Sequence, residues 1–198
     1  MNPQQKPAPI ADPGAVFLTW RLHGSLPTGF LGYLSAKNGA WGADEFCCLD
    51  RMLDRETCGP VWLKDPRIAH MMVQLLNRGH FQLRQYDLHA YVIMSNHVHM
   101  LLTPRVAMRA LSDGMKGAIA RMANRMLGRR GEHFWQDESF AHRATSDSQF
   151  ERLKSYIEAN PVHAGLVGRP EDWIWSSAHH KSMLAIAAPE RLQRPLAS

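Results

Sequence analysis

At 198 residues, with 45% hydrophobic and 21% charged side chains, the chain has the composition of a folded globular protein and the length for one domain with a substantial core. Twenty-three Lys and Arg against 18 Asp and Glu give a net charge of +5, which favours a polyanionic partner. No run approaches the roughly 18 apolar residues of a membrane span. The N-terminus lacks the apolar core of a signal peptide, and the odd set Cys47, Cys48 and Cys58 does not make a disulfide framework, so the expectation is a cytoplasmic protein with reduced thiols and no membrane partner.

Residues 1 to 14 carry four prolines and read as a flexible tail, and the stretch from 179 to 198 reads as a second tail around a single domain over 15–178. "AVFLTWRLHGSL" predicts a first strand before Pro27. Residues from about 29 to 64, rich in Gly, charge and Cys, read as an irregular insertion with a short helical pattern around 43–55. In "DPRIAHMMVQLLNRG", Asp65 as N-cap, Pro66 at the first helical position and Gly79 as terminator frame a helix with Ile68, Met71, Met72, Leu75 and Leu76 on one stripe.

"FQLRQYDLHAYVIM" and "HVHMLLTP" predict an antiparallel hairpin turning at Ser95 and Asn96. A basic amphipathic helix follows over 107–127, and "SFAHRAT" predicts a further strand. In "SDSQFERLKSYIEANP", Ser148 and Glu151 suggest a capping box, and Pro161 ends the helix at Asn160. The order strand, helix, hairpin, helix, strand is an α+β, ferredoxin-like split β-α-β core with a central antiparallel sheet, here followed by a C-terminal helix.

Within "SNHVHMLL" the alternation of an extended strand places His97 and His99 on one face with Leu101, and Val98, Met100 and Leu102 on the other. Residues two apart on a strand lie roughly 6 to 7 Å apart at Cα, close enough for both imidazoles to converge on one divalent cation. On the last helix Tyr156 and Asn160 are one turn apart on the edge of its apolar stripe.

With "VIMSNHVHMLLTP", the "FWQ" at 134–136, "YIEANPVHAGLV" and "DWIWSSA" in this order, the sequence resembles the REP-associated tyrosine transposases, bacterial transposases of the HUH single-strand nuclease superfamily. The resemblance spans about 16–178. It implies that His97 and His99 bind a divalent metal, Mg²⁺ or Mn²⁺, that Asn160 completes the metal site, and that Tyr156 is the nucleophile. The implied activity is cleavage and strand transfer of single-stranded DNA beside hairpin-forming repeats, through a covalent 5′-phosphotyrosine and without a nucleotide cofactor. For holding the DNA, Lys116, Arg121, Arg125, Arg129 and Arg130 could track phosphates, and Trp135 or His133 could stack a base.

Two alternatives stay open: a domesticated hairpin-binding protein that does not cleave, and a metal phosphoesterase that uses water in place of Tyr156. A monomer and a homodimer are equally compatible with the sequence.

Overall fold

A computed structural model of the chain describes residues 14–27 and 43–187. The first tail up to residue 13, the first part of the insertion and the C-terminal residues from 188 lie outside the described residues.

Four strands, β1 (Val16–Arg21), β2 (Tyr86–Ile93), β3 (His97–Pro104) and β4 (Phe140–Arg143), form one antiparallel sheet in the order β2-β3-β1-β4. The α-helices among the described residues are α1 (Ala43–Asp54), α2 (Pro66–Asn77), α3 (Met108–Met126), α4 (Asp147–His163) and α5 (Ser177–Ala187). With α1 and α2 between β1 and β2, and α3 between β3 and β4, this is the split β-α-β arrangement expected from the order of elements.

Strand alternation sorts the core into two layers. Leu18, Trp20, Val98 and Met100 point to the face covered by α2 and α3, while Phe17, Leu101, Ala90 and Val92 point to the face covered by α1 and α4. A bulge between Leu88 and Ala90 inserts one residue into β2. It allows Leu88 and Tyr91, which strict alternation would place on opposite faces, to pack into the same layer.

The structure departs from expectation at four local points, each with a physical cause. Gly79 does not stop α2, because the chain runs on through a wider helical turn, Arg78–Gln82, and β2 starts only at Tyr86. The glycine is required for space instead. A Cβ at position 79 would stand 2.4 Å from the Tyr86 hydroxyl oxygen and 2.6 Å from its ring, and Tyr86 is fully buried with its hydroxyl donating to the Leu76 carbonyl at 2.8 Å. Gly79→Ala is expected to destabilise the fold by about 1–3 kcal/mol through overpacking, as read by urea denaturation.

At the other end of the chain, the N-cap of α4 is Ser146, which accepts from the Gln149 amide at 3.2 Å, in place of the box at Ser148. Pro161 lies inside α4 and does not end it. Proline removes one donor, yet the next turn closes through Ala164 N to the Asn160 carbonyl at 2.9 Å and Leu166 N to the Pro161 carbonyl at 2.9 Å. Finally, residues 179–187, assigned to a tail from sequence, belong to α5, which the Ser177 hydroxyl fastens to Glu158 of α4 at 2.8 Å. No helix among the described residues is long and apolar enough to cross a membrane.

Candidate active site

His97 and His99 extend from β3 toward α1 and α4, 1% and 0% exposed, with ring centroids 4.7 Å apart. The alternation that buries Val98, Met100 and Leu102 beneath α2 and α3 is what turns both imidazoles to the opposite side. Phe17 stacks against the His99 ring at 5.6 Å, so an aromatic wall excludes water on that flank.

Facing the pair is Asp50 of α1. Its Oδ1 is 2.9 Å from His99 Nε2 and 3.4 Å from His97 Nε2, and a ligand atom from each of the three residues lies within 4.8 Å of the others. The second oxygen of the same carboxylate, Oδ2, accepts from Asn160 Nδ2 at 2.9 Å and from the Tyr156 hydroxyl. Three elements thus converge: β3 with two imidazoles, α1 with a carboxylate, and α4 with a half-buried tyrosine and a buried amide one turn apart.

Sequence reasoning brought His97, His99, Tyr156 and Asn160 to attention and passed over Asp50, because 29–64 read as an insertion. A signal was present in "LDRMLD", where Leu49 and Leu53, and likewise Asp50 and Asp54, are one helical turn apart. Leu49 and Leu53 are buried against the sheet, and their neighbours Asp50 and Asp54 are carried toward the histidines.

The protonation pattern follows from the hairpin turn. Asn96 Nδ2 donates to the Leu53 carbonyl at 2.9 Å, which orients the amide and leaves its Oδ1 to accept from His97 Nδ1 at 2.8 Å. His97 therefore carries its proton on Nδ1 and turns the lone pair of Nε2 toward Asp50. His99 Nδ1 is held by the Thr19 hydroxyl at 2.8 Å, again leaving Nε2 to face the carboxylate.

Among the described residues, Asp50 Oδ1, Asp54 Oδ1, His97 Nε2, His99 Nε2 and Asn160 Oδ1 are buried without a hydrogen-bond partner. His99 Nε2 approaches Asp50 Oδ1 to 2.9 Å without good hydrogen-bond geometry, and neither atom has another hydrogen-bond partner.

The electrostatics agree. Burial, reinforced by His99, pushes His97 down to about 3, so its imidazole is neutral. Burial alone would raise Asp50, but the imidazoles of His99 and His97 and the Tyr156 hydroxyl outweigh it and hold the carboxyl below the usual range. Burial and then the charge of Asp50 raise Asp54 to about 7. Two imidazoles, that of His97 neutral, with an ionised carboxylate are the donor set of a divalent transition or Mn-type cation, and the unpartnered atoms fit one.

The residues nominated for DNA are dispersed. Arg121, Arg125 and Arg130 are exposed on or just after α3, which packs on the sheet face opposite the histidines. Lys116 Nζ instead fastens the chain before β4, donating to the Gln136 carbonyl at 2.7 Å and the Asp137 carbonyl at 3.1 Å. The Arg129 guanidinium lies 4.2 Å over the Trp62 ring and pairs with Glu132 at 2.5 Å. Trp135 is 5% exposed and packs edge-on against Trp20 at 6.0 Å, so it is a core side chain with no face free for a base. His133 is exposed, its ring 5.3 Å from that of His23.

Fold and site together define a split β-α-β protein with a buried His-His-Asp centre and a tyrosine hydroxyl on the shared carboxylate. Residues 65–160 match the family model described as "Transposase IS200 like". The match contains His97, His99, Tyr156 and Asn160 but not Asp50. A solved structure described as "Structure of the REP associates tyrosine transposase bound to a REP hairpin" shares the fold, with a TM-score of 0.51 at 16% identity, over 91% of this chain and 84% of that one. No curated protein matches the chain.

Proposed function

We propose that the protein cleaves and transfers single-stranded DNA through Tyr156, with a divalent cation held by His97, His99 and Asp50 and with Asn160 Oδ1 as a further donor. The observation that carries this reading is the set of buried acceptor atoms converging beside a tyrosine whose hydroxyl is bonded to one member of the set. The similarity of residues 65–160 to the transposase family model supports DNA as the substrate. The relative solved with a REP hairpin supports a strand next to a hairpin.

A bound Mg²⁺ or Mn²⁺ supplies Lewis-acid stabilisation of charge developing on phosphate oxygen, and two imidazole ligands favour Mn²⁺ on softness. The chain's own groups do the rest. Asp50 Oδ2 fixes the direction of the Tyr156 hydroxyl, and Phe17 and Phe46 bound the ring. The Tyr156 oxygen forms a bond to phosphorus as the bond from phosphorus to the 3′-oxygen breaks. The phenol proton passes to solvent and the departing 3′-oxygen gains one, leaving a 3′-hydroxyl and a 5′-phosphotyrosine. The ester bond conserves the energy needed for rejoining, so no nucleotide is consumed.

A free-standing test is incubation of the protein with a labelled hairpin oligonucleotide carrying single-stranded flanks. A denaturation-resistant protein–DNA species that forms with Mn²⁺ and is prevented by EDTA is the expected result. Cleavage with no such species would replace this reading with a water-using phosphoesterase, and binding with no cleavage would replace it with a hairpin-binding protein. Of the basic residues, Arg121, Arg125 and Arg130 remain the proposed phosphate contacts. Lys116, Arg129 and Trp135 have the protein partners described above.

A further inference from the structure

Asp54 stands one helical turn after Asp50, so α1 presents two carboxylates to the strand that presents two imidazoles. Among the described residues its Oδ1 is buried without a partner, and that atom is 4.0 Å from His97 Nε2, itself buried and unpartnered. A carboxylate in this position is not explained by packing, because burying an acceptor beside another acceptor is unfavourable to the fold. The neighbouring acid, Glu56, is already satisfied by Lys64 at 2.5 Å.

The grouping of ligand atoms also says which role is open to Asp54. Asp50, His97 and His99 fall within 4.8 Å of one another, and Asp54 is not in that group. It lies beside His97 in a tight crevice bounded by Ser95, Asn96 and Leu166. Cations of this kind keep several water ligands, and each needs an acceptor.

We infer that Asp54 is the outer carboxylate of this centre, placed beside His97 to accept a hydrogen bond from a water ligand of the cation. The inference rests on the metal reading above and adds a residue to it. Asp54 is thus a positioning residue: it sets the affinity for the hydrated ion and the orientation of its water, and touches neither the tyrosine nor the phosphate.

Mn²⁺ titration calorimetry on the full chain, paired with thermal melts in EDTA and in Mn²⁺, tests it. Asp54→Asn and Asp54→Ser are each expected to bind Mn²⁺ about tenfold to 100-fold more weakly than the unmodified chain, the usual effect of losing an outer partner. Both are expected to melt in EDTA no lower than the unmodified chain and to gain less from Mn²⁺. Glu56→Gln, which removes a nearby but satisfied charge, is expected to leave Mn²⁺ affinity unchanged. Unaltered affinity in both Asp54 variants, or a fall of the EDTA melting temperature in both, would assign Asp54 to packing and overturn the inference. If the unmodified chain binds no Mn²⁺, the metal reading itself falls, and that result is distinct from an Asp54 variant that binds normally.

Discussion

Tyr156→Phe is expected to abolish the covalent protein–DNA species and to lower strand cleavage by a factor on the order of 10⁴ or more, the scale seen when a nucleophile is removed. The substitution deletes one oxygen and leaves the ring among Phe17, Phe46 and His99, whose centroids lie 6.4, 5.8 and 6.1 Å away. Asp50 Oδ2 keeps its bond from Asn160, so the carboxylate is not left bare. Metal affinity is therefore expected to survive the change, and calorimetry with Mn²⁺ on the same variant checks that the loss is one of chemistry and not of the site. Cleavage that persists would show that water does the work and that the tyrosine is a packing residue.

The other large effect is expected at Asp50. Asp50→Asn preserves shape but removes the negative charge facing the two imidazoles. Mn²⁺ affinity is expected to fall by more than about 100-fold, beyond the range that outer partners produce, and covalent adduct formation with it. The metal-free protein should respond too: its surroundings hold the Asp50 carboxyl below the usual range, so removing the charge is expected to lower the melting temperature in EDTA at neutral pH. A variant that loses adduct formation while retaining full Mn²⁺ affinity would limit Asp50 to holding the tyrosine.

Much of this arrangement is legible without coordinates because it is local. The two-residue period of "HVHMLL" decides which side the imidazoles take, and the four-residue interval from Tyr156 to Asn160 decides that they share a helix face. Asp50 could not be found that way. Its partners are 47 and more positions downstream in β3 and α4, and the short helical pattern at 43–55 is visible but reads as part of an irregular insertion. Gly79 and Pro161 were misleading for a shared reason: each has a local meaning as a breaker that tertiary structure overrides. The Tyr86 ring needs the space at residue 79, and the carbonyls around Pro161 find donors in the next turn. Trp135, one of two candidates for stacking a base, is claimed by Trp20 and the sheet.

Asn96 links two matters that are usually treated apart. Its amide donates to the end of α1 and, through its oxygen, orients a histidine that faces the ion position. An ion that is bound only when α1 is docked stabilises the docked state by RT ln(1 + [M]/Kd), about 2.7 kcal/mol at a hundredfold excess over Kd. Occupancy and helix docking thus become one thermodynamic quantity, and slowed amide hydrogen exchange in α1 on adding Mn²⁺ would report the loading of the site without any DNA present.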